Sequence, residues 1–252
     1  MISNCGHDEN GKYSGGQPGD QTGSEWAVIS WYNRPWNVVL RYPSTNVGKT
    51  IASLARAAAE NDKVGYCQDH RGTFWTQLQK AGYDPSKITT ACESDCSAGV
   101  AAIVKAAGHR LGIEALQNVP STAYTGNLRE KLKAAGFEVL TASKYLQSDK
   151  YLLPGDVLLY EGHHTAINLD QGSAVSTSTT AAEDTTATGW HADSTGWYYR
   201  HTKGTGPNTY FHDRLVCIGG HWYYFNADGY IVLPSGDALN VVSPQSKTGW
   251  WV

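Results

Sequence analysis

Residues 92–108 read C-E-S-D-C-S-A-G-V-A-A-I-V-K-A-A-G. Asp95 is a helix-start residue, and Cys96 follows it into the first turn. Val100, Ala101, Val104 and Ala107 recur at helical spacing, and Gly108 stands where a C-cap would. Alanines at 98, 101, 102, 106 and 107 give this helix a small face that can lie close to a sheet. A thiol in the first turn meets the positive end of the helix dipole, which should lower its pKa and raise its thiolate fraction. The competing reading is a buried structural cysteine, because free cysteine is among the most buried residue types. What the rest of the chain supplies decides between the two.

The chain has 252 residues, of which 40% are hydrophobic and 17% charged, so it is globular. A net charge of −3 and the lack of a Lys/Arg cluster give no reason to expect a nucleic-acid partner. Nine tryptophans and fifteen tyrosines stand against four phenylalanines, a balance that suits surfaces binding carbohydrate. The first residues have neither a basic nor an apolar leader segment, so no Sec signal is expected. No apolar run approaches the ~20 residues of a membrane span, so no membrane insertion is expected. The five cysteines are an odd count with no framework spacing, which argues against a disulfide scaffold. Cys92 and Cys96 have no second ligand pair at zinc-site separation, so neither a metal nor a cofactor is expected.

Residues 1–25 read as a flexible, glycine-rich polar tail, with His7, Asp8 and Glu9 as solvated loop residues. A strand-like aromatic run over 26–42 is broken at Arg34-Pro35. Apolar spacing predicts helices over 47–59, around Phe74, Trp75 and Leu78, over 96–107 and over 127–135, then a strand over 137–140. Pro154 and Gly155 set a turn into a strand ending at Tyr160. A returning strand is expected over 163–169 and a short third one over 174–176. The class is α+β, with helices first and an antiparallel meander after them. Residues 177–188 are a Ser/Thr/Ala linker. Beyond it, Trp197-Tyr198-Tyr199 recurs as Trp222-Tyr223-Tyr224, a hairpin repeat of roughly 25 residues, and Trp250-Trp251 hints at a third unit. The expected organisation is a domain over 1–176, the linker 177–188 and a repeat module over 189–252.

A cysteine nucleophile needs a base to take its proton, usually a histidine oriented by a third group. His164 lies on the returning strand. Alternation places His164, Ala166 and Asn168 on one face, where the small Ala166 leaves room for a partner helix.

Three segments carry a resemblance: Asp95-Cys96-Ser97 opening an alanine-rich helix, Leu153-Pro154-Gly155-Asp156-Val157-Leu158-Leu159, and His164-Thr165-Ala166-Ile167. In order and spacing they resemble the NlpC/P60 superfamily of papain-like cell-wall peptidases. Residues 1 to about 176 are similar to the catalytic domain of phage and prophage endolysins, and the later repeats to cell-wall-binding repeats of choline-binding type. The resemblance implies a papain-like domain with N-terminal helices packed on an antiparallel sheet. Cys96 would be the nucleophile and His164 the general base and then acid. The Cys96 backbone N–H would help hold the oxyanion, and Tyr66 and Asp95 would lie on the substrate side. The family's third position falls on Ser176. Orientation of His164 by Asp170, or a dyad without a third member, remains open. The implied activity is endolysin-type hydrolysis of a stem-peptide amide, with the D-γ-glutamyl–diamino acid bond expected. N-acetylmuramoyl-L-alanine amidase action, acyl transfer by the same Cys–His chemistry and a non-catalytic wall-binding protein are the alternatives. Trp197, Tyr198, Trp222 and Tyr223 would bind wall carbohydrate or teichoic acid. Such a protein is made in the host cytoplasm and acts on peptidoglycan at the wall.

Overall fold

Val38, Val39 and Leu40 are all buried, because the strand they form is covered on both faces. In the computed structural model, which describes residues 1–175, 188–192, 197–203, 207–218 and 221–231, the chain divides into two compact units, Met1–Val175 and Ser176–Val252.

The first unit opens with β1 (Ile2–Cys5), β2 (Trp26–Ile29) and β3 (Val38–Arg41), then α1 (Thr45–Ala59), β4 (Val64–Tyr66), α2 (Thr73–Lys80) and β5 (Cys92–Ser94). It continues with α3 (Cys96–Leu111), α4 (Glu114–Gln117), α5 (Leu128–Ala134), β6 (Glu138–Leu140), α6 (Ser143–Leu146), β7 (Val157–Tyr160) and β8 (His164–Asn168). Six strands form one antiparallel sheet in the order β2-β1-β8-β7-β3-β6, and β4 pairs with β5 in parallel. The alternation of side chains splits the core into two layers. Val38, Leu40, Val157, Leu159 and Ile167 face the helices with α1 and α3, while Ile2, Trp36, Val39, Leu158 and Ala166 pack on the other side.

The mixed α+β class holds, but the order of elements differs from the expectation of helices first. Residues 1–25 are not a flexible tail. Ile2 is fully buried, and β1 pairs with both β2 and β8 near the middle of the sheet. The intervening polar loop is built on carboxylates. Asp20 Oδ1 accepts the N–H groups of Thr22 and Gly23, Asp20 Oδ2 accepts that of Glu25, and Asp8 Oδ1 accepts those of Asn10 and Lys12. Satisfying backbone donors in this way lets a polar stretch lie against a core. Of the short strand expected over 174–176, Ser176 lies outside the described residues and 174–175 are a turn and a bend; β1 occupies the sheet position beside β8.

Gly108 does not end α3. The helix runs on to Leu111 and closes at Gly112, whose φ of 66° is left-handed. Gly108 instead marks a close approach, since a Cβ there would lie 2.6 Å from Gln117 N and Leu116 Cβ at α4. Ala166 likewise makes no room for α3. It lies in the layer with Trp36, and α3 packs against the Ile167 side.

In the second unit, β9 (Gly189–Ala192) pairs with β10 (Trp197–Arg200), and β11 (Arg214–Ile218) with β12 (His221–Phe225), both antiparallel. Trp190 meets Tyr199 and Tyr223 edge-on at 5.1 and 4.7 Å, and Phe225 is fully buried beside it. Cys217 is exposed on β11. Residues 176–187, most of the expected linker, lie outside the described residues, as do Trp250 and Trp251.

Candidate active site

Asp95 has the extended backbone of an N-cap, with φ −109° and ψ 177°. Its Oδ1 accepts the N–H groups of Ser97 at 2.9 Å and Ala98 at 2.7 Å, satisfying donors the helix leaves free. Its Oδ2 pairs with Arg71 Nε at 3.0 Å, and Arg71 also donates to Ser97 Oγ and the Ala123 carbonyl. Asp95 is therefore buried in capping and holding α3.

The ladder between β1 and β8 ends after Ile2↔Asn168 and Ser3↔Ile167. Toward β7, Asn168 N–H bonds the Asp156 carbonyl, so Thr165, three residues earlier, points its N–H away from β7 and toward β1. With the ladder ended, that donor has no strand partner. The Cys96 thiol, at the first position of α3, lies against the N–H groups of Thr165 and Ser97. Cys5 is buried on β1, close enough to Cys96 for their charges to interact.

The electrostatics reverse one expectation. Burial pushes the Cys96 thiol up to about 11, and the Asp95 carboxylate adds to this. The N–H groups of Thr165 and Ser97, with the Arg71 guanidinium, only partly offset the rise. Burial likewise brings His164 down to about 4, with Arg34 adding to the shift. At neutral pH the resting groups are thus a thiol and a neutral imidazole.

His164 is 7% exposed, and its Nε2 lies 2.8 Å from Asn4 Oδ1. Tyr32 Oη also donates to that oxygen, at 3.4 Å. With Oδ1 as acceptor, Nε2 carries the proton and Nδ1 keeps its lone pair. Trp36 stacks on the ring at 6.1 Å between centroids and is itself held by an Nε1–H bond to the Tyr32 carbonyl. Among the described residues no hydrogen bond joins Cys96 Sγ to the imidazole. The Thr165 N–H that meets the thiol belongs to the residue next to His164 in the chain.

Asn4 is the residue sequence reasoning missed. The Ile2-Ser3-Asn4-Cys5 alternation was its signal, hidden by the polar stretch that follows. Asp170 is engaged elsewhere, by the Met1 amine at 2.8 Å and Arg56 at 3.3 Å, so it does not orient His164. Ser176 lies outside the described residues. Tyr66 is buried on β4, where its N–H donates to Glu25 Oε2 and its hydroxyl accepts from Gln68; burial and the nearby Cys96 thiol raise its pKa. Of the repeat aromatics, Trp197 and Tyr198 are half-buried on β10, Tyr223 is buried against Trp190, and the side chain of Trp222 lies outside the described residues.

A groove of about 430 Å³ opens beside the His164 side of the sheet, lined by Arg34, Trp36, Thr141, Ser143 and Gln147 among others. A second group of chemistry-bearing side chains, Cys67, His70 and Glu93, brings its ligand atoms within 4.8 Å of one another.

The model of the endolysin-like domain family matches residues 2–175, more than half of the chain, and the chain belongs to that family. The family assigns it coarsely to lysis of the bacterial cell wall. A putative cell-wall-binding repeat of choline-binding type matches residues 213–231, which span β11 and β12, and marks the second unit for wall carbohydrate or teichoic acid. Neither the curated proteins nor the solved structures contain a match to this chain. No helix of the described residues is long and apolar enough to cross a membrane.

Proposed function

We propose that the chain is an endolysin-type peptidoglycan hydrolase that cleaves a stem-peptide amide through Cys96 and His164. The observation that carries this reading is the His164 Nε2–Asn4 Oδ1 hydrogen bond, together with the Cys96 thiol lying against the N–H of Thr165, the residue after His164. The bond to Asn4 fixes the tautomer in which Nδ1 is a free base. In the reaction Nδ1 takes the thiol proton as Sγ attacks the carbonyl carbon. The Cys96 N–H, at the start of α3, stabilises the tetrahedral oxyanion. His164 then returns the proton to the departing amine and leaves an acyl-enzyme on Cys96. Water, deprotonated by the same imidazole, releases the acid. The neutral resting pair needs no charge separation before substrate arrives, and substrate closing over the site strengthens the N–H contacts to the developing thiolate.

The order of Cys96, the Pro154-Gly155-Asp156 turn and His164 supports an NlpC/P60-like, papain-like assignment. β1 lies beside β8 in the sheet, and the bond from Asn4 to His164 Nε2 supports giving Asn4 the role that the resemblance gave to Ser176. Asp156 serves the fold: its carboxylate takes Arg41 Nε at 2.8 Å and the Leu153 N–H at 2.8 Å. The scissile bond we assign is D-γ-glutamyl–diamino acid, with the stem peptide lying along the Trp36 groove and Arg34 facing its carboxylates. Residues 1–176 form the hydrolase, 177–188 the linker and 189–252 the wall-binding module, which raises local concentration by tethering.

Digestion of defined peptidoglycan with mass analysis of the products tests this. New free amino groups on the diamino acid are expected, and they disappear in Cys96→Ala and His164→Ala while wall binding persists. Lysis that survives Cys96→Ala overturns the cysteine mechanism. A product free of its lactyl ether sugar moves the cut to the N-acetylmuramoyl–L-alanine amide.

A further inference from the structure

We propose that Cys67, His70 and Glu93 form a binding site for a divalent transition-metal ion, zinc by the chemistry of its donors. Cys67 directly follows β4, His70 lies on the loop after it, and Glu93 is the central residue of β5, the parallel partner of β4. The three ligand atoms converge within 4.8 Å. Cys67 Sγ stands 3.6 Å from His70 Nδ1. Tetrahedral zinc with bonds of about 2.3 Å to sulfur and 2.0–2.1 Å to nitrogen sets those two atoms about 3.6 Å apart. His70 Nδ1 stands 2.9 Å from Glu93 Oε2. A shared ion would open that separation by a few tenths of an ångström, which the exposed imidazole can absorb.

The second observation is the state of Glu93. The residue is 2% exposed, and its Oε1 finds no hydrogen-bond donor among the described residues. A buried carboxylate oxygen without a partner is costly, and a cation removes that cost. The charges balance as well. A thiolate, a carboxylate and a neutral imidazole around a divalent ion sum to zero, so the partly buried group becomes neutral when loaded. The thiol proton leaves to solvent on binding. The mixed sulfur–nitrogen–oxygen set favours zinc over calcium or magnesium. His70 has a side chain 62% exposed, which leaves an entry path and an open fourth position for water. Loaded, the site would tie the 67–71 loop to β5, and with it Arg71, which holds Asp95 at the start of α3.

The test uses the full chain carrying Cys96→Ala, so that the thiol at α3 cannot take metal. After chelator treatment, added Co²⁺ is expected to give a thiolate-to-cobalt charge-transfer band and intense tetrahedral visible bands that saturate at one equivalent. Zn²⁺ should displace them and raise Tm. Cys67→Ser should abolish the charge-transfer band. His70→Ala, at an exposed ring, folds regardless of Cys67→Ser and should weaken metal affinity at least tenfold with loss of the Tm rise. Absence of the band in the Cys96→Ala chain, or its survival unchanged in His70→Ala, overturns the proposal and leaves a hydrogen-bonded cluster.

Discussion

Two cysteine–histidine groupings are proposed for this chain, with Glu93 and Cys96 at β5 and just after it, and they differ in the third member. For Cys96 and His164 that member is Asn4, a neutral amide bonded to a ring buried against Trp36. Cys67 and His70 are completed by Glu93, a buried carboxylate, with the ring largely in solvent. An amide oxygen accepts the Nε2 proton without adding charge, so burial keeps His164 neutral and ready to act as a base. A carboxylate adds negative charge to a thiol, which suits a cation better than proton transfer. On the two proposals, one neighbour and the degree of burial sort the same pair of residue types toward acid–base chemistry or metal binding.

The comparison can be broken most sharply by exchanging roles. Cys96→Ala should cut wall lysis by at least about 10³-fold, whereas Cys67→Ser should keep lysis within about tenfold, both read from turbidity of purified walls. Equal losses in the two variants would erase the distinction. Asn4→Ala frees the His164 ring and should lower kcat about 10²-fold with little change in KM, by misplacing the base. Asn4→Asp tests the neutral-amide idea: added negative charge should move the acid limb of activity upward. That limb is expected near pH 4 in the native chain, because burial brings His164 down to about 4 from 6.5. The same shift affects stability. Between pH 6.5 and about 4 the unfolded histidine binds a proton that the folded one refuses, so this contribution is present above 6.5 and is lost as pH falls toward 4. His164→Gln should flatten that part of the Tm profile. Smallest in its effect on chemistry, Gly108→Ala should destabilise the first unit by about 1–3 kcal/mol in urea, by overpacking against α4.

Periodicity made α1, α2 and α5 readable, because each buries an apolar stripe, while α3, buried nearly all round, was readable from its Asp95 cap and alanine-rich run. Cys96 and His164 were readable as well, since the helix start and the strand after Gly162 are local signals. What depends on distant partners stayed hidden. The strand β1 is four residues long and precedes a polar loop, so only its neighbours β2 and β8 reveal it as central. Asn4 was hidden with it. Gly108 looks like a stop in sequence, and only the approach of α4 explains why glycine stands inside a continuing helix. The pKa of Cys96 was read from the helix dipole alone, and burial with Asp95 outweighs that dipole. The Cys67-x-x-His70 spacing was visible, but Glu93 joins it only through the parallel pairing of β4 with β5.

The Asn4–His164 hydrogen bond joins residues 160 positions apart. On the ribosome, β1 emerges well before β8, the last strand of its sheet, and waits for it before it has a partner on that side. Loop closure over that distance is among the slower steps of folding. Under the proposed function, His164 therefore acquires its orienting group only when the whole first unit has been made and has closed. A half-synthesised chain would carry Cys96 without an aligned His164, and the cell that makes it would be spared a partially built activity.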